Sequence, residues 1–114
     1  MPITVCPYDP ARLRPGHNGT ILSHGGLSLP GTPFGSAFGV LRAGMAQERM
    51  CDPRVSKIYV PLAGEAALIA EGERVPLRPG SVYLIPAGTE HEVEHADEAE
   101  FVNFCLWWEE PQNG

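Results

Sequence analysis

The chain has 114 residues, of which 43% are hydrophobic and 19% are charged, and its formal net charge is −6. This length fits one domain whose core is large enough to fold without a disulfide or a metal. An acidic chain repels phosphate backbones, and no apolar run reaches the roughly 20 residues that span a bilayer. We therefore expect neither a nucleic-acid partner nor a membrane partner.

Cysteine usage and the first residues of the chain bear on the cellular compartment. Cys6, Cys51 and Cys105 are odd in number, widely spaced and form no CxxC pair, which disfavours a zinc ribbon or a disulfide framework. Residues 1–16 lack the charged start and apolar stretch of a signal peptide. We therefore expect a reducing, cytoplasmic environment.

Residues 1–33 are rich in Pro, Gly, Ser and His and show no clear periodicity. This composition predicts an extended N-terminal arm with one or two short edge strands, followed by a β-domain over residues 34–114. His17 and His24 fall in the arm, so we expect both of them at the surface.

From Phe34 onward, short apolar segments recur with turn signals between them, which is typical of an all-β sandwich or barrel. The pair Glu71-Gly72 is predicted to form a hairpin tip, since glycine readily adopts a positive φ. No segment sustains a helical period of 3.6 residues. The predicted strand segments read FGVLRAG, KIYVPLAG, EAALIAEGE, RVPLRPG, SVYLIPAG, HEVEHADE and EFVNFCLWW.

The stretch EHEVEH at residues 90–95 shows which of its faces is buried. Successive side chains of a strand point to opposite faces, so its three glutamates share one face. Three glutamates require water, and the opposite face must therefore turn inward. That face carries His91, Val93 and His95.

The stretch GSVYLIPAGTEH at residues 80–91 resembles the second signature motif of the cupin superfamily. Gly80, Pro86, Gly88 and His91 stand at the spacing of that motif, while His95 takes the place of its closing Asn. The resemblance covers about residues 38–108. It implies a cupin-like β-barrel of the jelly-roll type.

The first cupin motif is present in spacing but not in its metal ligands. Gly44 and Gly64 fit, whereas the two histidine positions hold Met50 and Asp52, and the glutamate position holds Lys57. A lysine ammonium would repel a dication at that position. The resemblance therefore implies that no metal is tightly held and that no cofactor is expected. A divalent metal on an altered set, including His91 and Asp52 and rescued by Glu48, Cys51 or His95, remains an alternative.

Three ionisable residues are predicted to converge on one pocket as a catalytic set, namely Lys57, Asp52 and His91. Burial would lower the pKa of Lys57 while Asp52 would raise it, so we expect a charged lysine. A Lys57–Asp52 salt bridge that only fills the old metal position is an equally weighted alternative. His91 could serve as a general acid–base, because an ordinary imidazole has a pKa of about 6.5.

Five further residues are predicted to bind substrate. Tyr59 shares a face with Lys57, and Asn103 shares a face with Cys105 and Trp107 in the last predicted strand. The predicted substrate-binding residues are Met50, Cys51, Tyr59, His95 and Asn103.

Three functions remain open from the sequence. The first is a metal-independent lyase, isomerase or cyclase acting on a small polar or anionic molecule, with His91 moving a proton and Lys57 holding an anionic group. The second is a non-catalytic binding module, and the third is a metal-dependent enzyme with an altered ligand set. KIYVPL is apolar on its second face, and the cupin resemblance implies that a second subunit or the N-terminal arm covers it. We therefore expect a homodimer.

Overall fold

The computed structural model describes residues 3–16, 20–95 and 98–111. His17, which we expected at the surface, lies outside these residues. The described residues contain one 3-10 turn, Pro10–Arg12, and no helix long and apolar enough to cross a bilayer. The strands are β1 (Arg14–Gly16), β2 (Ile21–Gly25), β3 (Phe34–Leu41), β4 (Gln47–Met50), β5 (Val55–Ala63), β6 (Ala66–Ala70), β7 (Glu73–Leu77), β8 (Tyr83–Ile85), β9 (His91–Glu94) and β10 (Phe101–Glu109).

The strands form two antiparallel sheets. The six-stranded sheet has the order β1-β2-β3-β10-β5-β8, and the four-stranded sheet has the order β4-β9-β6-β7. Both sheets send apolar side chains into one shared core, which confirms the all-β architecture. The core comprises Ile21, Leu41, Tyr59, Leu68, Leu77, Ile85, Val93 and Phe101.

The predicted faces of the strand at residues 90–95 are confirmed. His91 and Val93 of β9 are buried, and so is His95 just after the strand. Glu94 faces water and pairs with Arg74 of the neighbouring hairpin. Alternation along a strand thus places the histidines inside, as the spacing of the glutamates indicates.

The hairpin tip at Glu71-Gly72 is also confirmed, since both residues have positive φ angles of 52° and 78°. In contrast, strand β4 is absent from the predicted strands. Its sequence QERM lacks the apolar alternation that marks a half-buried strand, and only Gln47 is buried in it. The charged Arg49 instead faces Glu90 and Glu92 across the β4–β9 pair.

The N-terminal arm supplies two strands, and the boundary predicted at residue 33 falls between β2 and β3. Its His24 is buried, so the surface position expected for this residue is wrong. The arm folds back over the imidazole ring of His24. The backbone N–H of Asp9 donates to His24 Nε2 over 2.9 Å, and the Tyr8 ring stacks on the imidazole with 5.7 Å between the ring centroids. These contacts link residues that lie far apart in the sequence and that no local pattern pairs.

Gly64, which follows β5, provides a test of this fold. Its φ is 74°, and a Cβ placed there would overlap the backbone carbonyl oxygen of Glu100. Gly72 has a similar φ of 78°, but a Cβ added there would meet nothing within 4 Å. We expect Gly72→Ala to lower the free energy of unfolding by about 1–2 kcal/mol, the cost of a left-handed alanine. Gly64→Ala should cost clearly more, because the backbone at Glu100 must also move.

Urea denaturation of both variants beside the parent protein measures the difference. Equal losses for the two alanines would contradict the close approach of Gly64 to the backbone at the start of β10.

Candidate functional site

A cavity of about 380 Å³ opens between the sheets on the inner face of β3, β5 and β10. This volume lies in the range of small-molecule sites. The polar residues among those lining it are Ser23, Gln47, Asp52, Lys57, Tyr59, Asn103 and Cys105. The cavity therefore combines an apolar wall with a few polar groups, as ligand sites do.

Small residues on β3 make room for this cavity. The sequence FGSAFGVL alternates, so Gly35, Ala37 and Gly39 share the inner face of the strand. In the sheet register, Ala37 lies opposite Cys105 and Gly39 lies opposite Asn103. A Cβ at Gly39 would meet only Ile21 Cδ1, at 3.9 Å. The alternation of small and large residues in β3 is the sequence signal that could have indicated the cavity.

Lys57 of β5 lies in the cavity wall, where the sequence predicted it, and is only 7% exposed. Its Nζ donates to the thioether sulfur of Met50 over 3.6 Å. Among the described residues no ion pair forms between Lys57 and Asp52 or any other carboxylate. The alternative of a purely structural Lys57–Asp52 salt bridge is therefore wrong. Burial lowers the pKa of Lys57, while electrostatic interaction with Cys105 and Asp52 opposes this shift.

Hydrogen-bond donors gather around Lys57. Gln47 Nε2 donates to Met50 Sδ and to the Tyr59 hydroxyl, each over 3.1 Å. Burial raises the pKa of Tyr59, so the phenol stays protonated and keeps its own proton to donate. Donors thus face the cavity beside a thioether, which is only a weak acceptor. Gln47 was missed from the sequence because it lies on the unpredicted strand β4.

Asp52 also lines the cavity, and its position is fixed by the loop that carries it. Its Oδ1 accepts the backbone N–H of Arg54 over 3.0 Å, in a turn of the kind expected before Pro53. Its carbonyl oxygen accepts the N–H of Gly88 over 2.8 Å. This bond joins the two regions that resemble the first and second cupin motifs.

His91 is buried, with 1% exposure, but it is not part of the cavity lining. Its Nδ1 lies 2.9 Å from the carbonyl oxygen of Thr89 and so carries the proton, because a carbonyl can only accept. Its Nε2 has no partner among the described residues. Burial lowers the pKa of His91, and the charge of Lys57 lowers it further, although the Thr89 contact opposes both. A neutral ring, edge-on to Tyr59 at 6.4 Å, is the result.

Two predicted binding residues lie outside the cavity lining. His95 has both ring nitrogens against backbone carbonyls, Nδ1 at 3.2 Å from Arg42 and Nε2 at 2.6 Å from Ala99, so its contacts serve the fold. Cys51 is exposed to solvent. In contrast, Met50, Tyr59 and Asn103 do line the cavity, and their binding of a substrate stays a prediction.

Cys105 and Trp107, placed on the same face of the last predicted strand, line the cavity as well. Burial raises the pKa of the Cys105 thiol to about 11, although the nearby Lys57 charge opposes this. The thiol is therefore neutral near pH 7 and is a poor nucleophile.

The residues at the four metal-ligand positions implied by the cupin resemblance do not fit a divalent ion. Lys57 extends its ammonium to Met50, so a cation already stands between two of these positions. Within residues 3–16, 20–95 and 98–111, no group of three His, Cys, Asp or Glu side chains is arranged to hold a metal. A thioether suits soft metals only. We therefore derive no chemistry from a metal at this site.

Two facing antiparallel sheets that enclose a partly polar cavity define a β-barrel of the jelly-roll type. A family profile described as the cupin domain matches residues 41–107, and the chain belongs to this cupin family. Comparison with curated protein sequences gives no significant match.

Solved structures of the same fold support this assignment. A Cupin 2 conserved barrel domain protein from Salinispora arenicola CNS-205 is 24% identical with a TM-score of 0.79, over 95% of this chain and 90% of that one. The plu4264 protein of Photorhabdus luminescens is 23% identical with a TM-score of 0.76, over 95% and 88%. The DMSP lyase DddQ of Ruegeria pomeroyi is 22% identical with a TM-score of 0.70, over 90% of this chain and 58% of that one. These likenesses establish the fold alone.

Replacing Lys57 by methionine tests whether the buried, unpaired cation destabilises the fold. Lys57→Met removes the buried charge and keeps a long side chain, so we expect the free energy of unfolding to rise by about 1 kcal/mol or more. Urea denaturation near neutral pH measures this change. The control is Arg12→Met at an exposed cation, which should change stability by less than about 0.5 kcal/mol. A loss of stability in Lys57→Met alone would mean that the ammonium has a stabilising partner.

Proposed function

We propose that this cupin is a metal-independent enzyme of the lyase, isomerase or cyclase type that acts on a small anionic molecule held by Lys57. The observation that carries the proposal is the buried ammonium of Lys57, which faces a cavity and has no carboxylate partner in the described residues.

A buried cation without a counter-ion is destabilising unless something supplies the charge. Met50 offers Lys57 only a neutral sulfur. A ligand carboxylate or enolate entering the cavity would restore the missing pairing with a charge-assisted hydrogen bond. The Tyr59 hydroxyl lies beside the same group of donors and could donate to the same anionic oxygen. The arrangement therefore favours an anionic ligand over a neutral one.

Asp52 is better placed than His91 to transfer a proton, since only Asp52 lines the cavity. In the reaction we propose, Asp52 accepts a proton from a carbon next to a carbonyl group of the substrate. The electron pair of the broken C–H bond forms an enolate, whose oxygen is held by the Lys57 ammonium. Return of the proton at another carbon completes an isomerisation, and loss of a leaving group from the adjacent carbon completes an elimination. His91 would act only by supporting Tyr59.

The second candidate is a binding module without turnover. The position of His91 favours it, because His91 does not line the cavity and Asp52 is left as the main base there. The cupin fold of a DMSP lyase at 22% identity shows only that such a barrel can carry a lyase.

Deuterium exchange at the carbon next to the carbonyl of bound 2-oxobutanoate in D₂O separates the candidates. Asp52→Asn should reduce exchange by about 100-fold or more while affinity is kept. Binding without exchange in the parent protein would favour the binding module.

Titration with benzoate tests anion binding directly, with neutral benzamide as the matched ligand. We expect benzoate to shift NMR signals of cavity residues, and Lys57→Met to abolish its advantage over benzamide. Lys57 is charged below its pKa, which burial lowers from 10.5. Benzoate affinity should therefore be greatest near neutral pH and fall as the pH rises through that lowered value. Equal affinity for the two ligands at neutral pH would contradict the proposal.

A homodimer stays a prediction that a surface feature supports. Leu84 of the edge strand β8 is 61% exposed and lies opposite Ile58 on the outer face of the six-stranded sheet. Leu62 of β5 is also exposed. Sedimentation velocity should show a dimer that Leu84→Glu dissociates, whereas Leu29→Glu at another exposed leucine should not. A monomeric parent protein would rule the dimer out.

A further inference from the structure

Asn103 is a buried polar side chain that the proposed chemistry leaves unused. It lies on β10, in the middle of the six-stranded sheet, lines the cavity and is only 8% exposed. Its Oδ1 is inaccessible to solvent and has no hydrogen-bond partner among the described residues. Buried amide oxygens in proteins are nearly always paired, so an unpaired one in a cavity wall calls for a donor from elsewhere.

The neighbouring strands explain why the chain does not supply this donor. Asn103 lies opposite Gly39 on β3 and opposite Pro61 on β5. Gly39 has no side chain, and Pro61 has neither a side-chain donor nor a backbone N–H. The two cross-strand positions closest to Asn103 therefore cannot satisfy it, and the acceptor stays unpaired in a side chain that lines the cavity.

Asn103 and Lys57 mark two separate ends of the same cavity wall. Lys57 lies opposite Trp107, four residues along β10 from Asn103, which corresponds to about 13 Å between the strand positions. Ala37, with its small side chain, and Gly39, with none, lie beside this stretch of β10 and leave space over it. A ligand body can thus lie along the wall, with its anion toward Lys57 and its other end toward Asn103.

We propose that the ligand is a carboxylate that also carries a hydroxyl or amino group, and that this second group donates a hydrogen bond to Asn103 Oδ1 once rotation of the side-chain amide turns that oxygen toward the cavity. This inference rests on the proposed anion site at Lys57. A plain carboxylate satisfies Lys57 alone, whereas a hydroxy- or amino-carboxylate satisfies both buried groups. Asn103 is then the residue that selects the substituted carboxylate.

The probes are benzoate, the 2-, 3- and 4-hydroxybenzoates, and the corresponding fluorobenzoates, titrated into the ¹⁵N-labelled protein by NMR. Fluorine is close in size to a hydroxyl but cannot donate a hydrogen bond. We expect at least one hydroxy isomer to bind about fivefold to tenfold more tightly than benzoate, the gain of one hydrogen bond. The fluoro isomer of the same position should bind like benzoate.

Asn103→Leu, which keeps the size of the side chain, should abolish the hydroxyl gain and leave benzoate affinity within about twofold, a change of less than one hydrogen bond on this scale. If the hydroxyl gain persists in Asn103→Leu, or if no hydroxy isomer exceeds its fluoro isomer in the parent protein, the inference is wrong. The second of these results needs no variant and holds even if Asn103→Leu does not fold.

The same titrations separate this inference from the proposed function. Benzoate binding that depends on Lys57, without any hydroxyl gain, overturns the role of Asn103 and leaves the anion site intact. Binding of all probes that is unchanged in Lys57→Met, or no binding at all, overturns both.

Discussion

The chemical properties of the site depend first on the buried ammonium of Lys57. Burial lowers its pKa, and its Nζ donates to the neutral sulfur of Met50. Lys57 stands where the cupin resemblance implies a metal-binding glutamate, so one substitution exchanges a ligand for a cation. In the function we propose, this cation attracts an anionic oxygen, as a metal at the same position would.

The barrel supplies the setting in which this charge acts. The small residues of β3 leave the cavity open, and the bond from the Gly88 N–H to the Asp52 carbonyl fixes one loop against another. An unpaired cation in an apolar enclosure interacts more strongly with a ligand than an exposed one would, because water screens it less. The energy lost by burying Lys57 in the free protein can thus be regained when an anion binds.

Spacing and alternation predicted the fold and part of the site. The glycine-proline spacing of residues 80–91 and the strand pattern identified the barrel, and alternation placed Lys57, Tyr59 and Asn103 on inner faces. Alternation could not say which inward residues meet the cavity and which meet the opposite sheet. His91 points inward but packs against Tyr59, and so the distinction depends on how the two sheets face each other.

Contacts between distant segments were equally beyond local patterns: His95 reaches the carbonyl of Arg42, 53 residues away, and His24 accepts from Asp9 of the arm. Strand β4 was not predicted because its only buried residue, Gln47, is polar and its charged neighbours leave no apolar alternation.

The most direct measurement follows the titration of Lys57 itself, which is simple because it is the only lysine in the chain. Protein labelled with ¹³C-lysine gives one side-chain Cε signal, whose shift against pH reports the ammonium with and without added benzoate. A buried, unpaired ammonium should titrate below the ordinary lysine value of 10.5, and benzoate should raise that pKa by stabilising the charged form. An ordinary titration that benzoate does not move would mean that Lys57 is not a buried cation awaiting an anion.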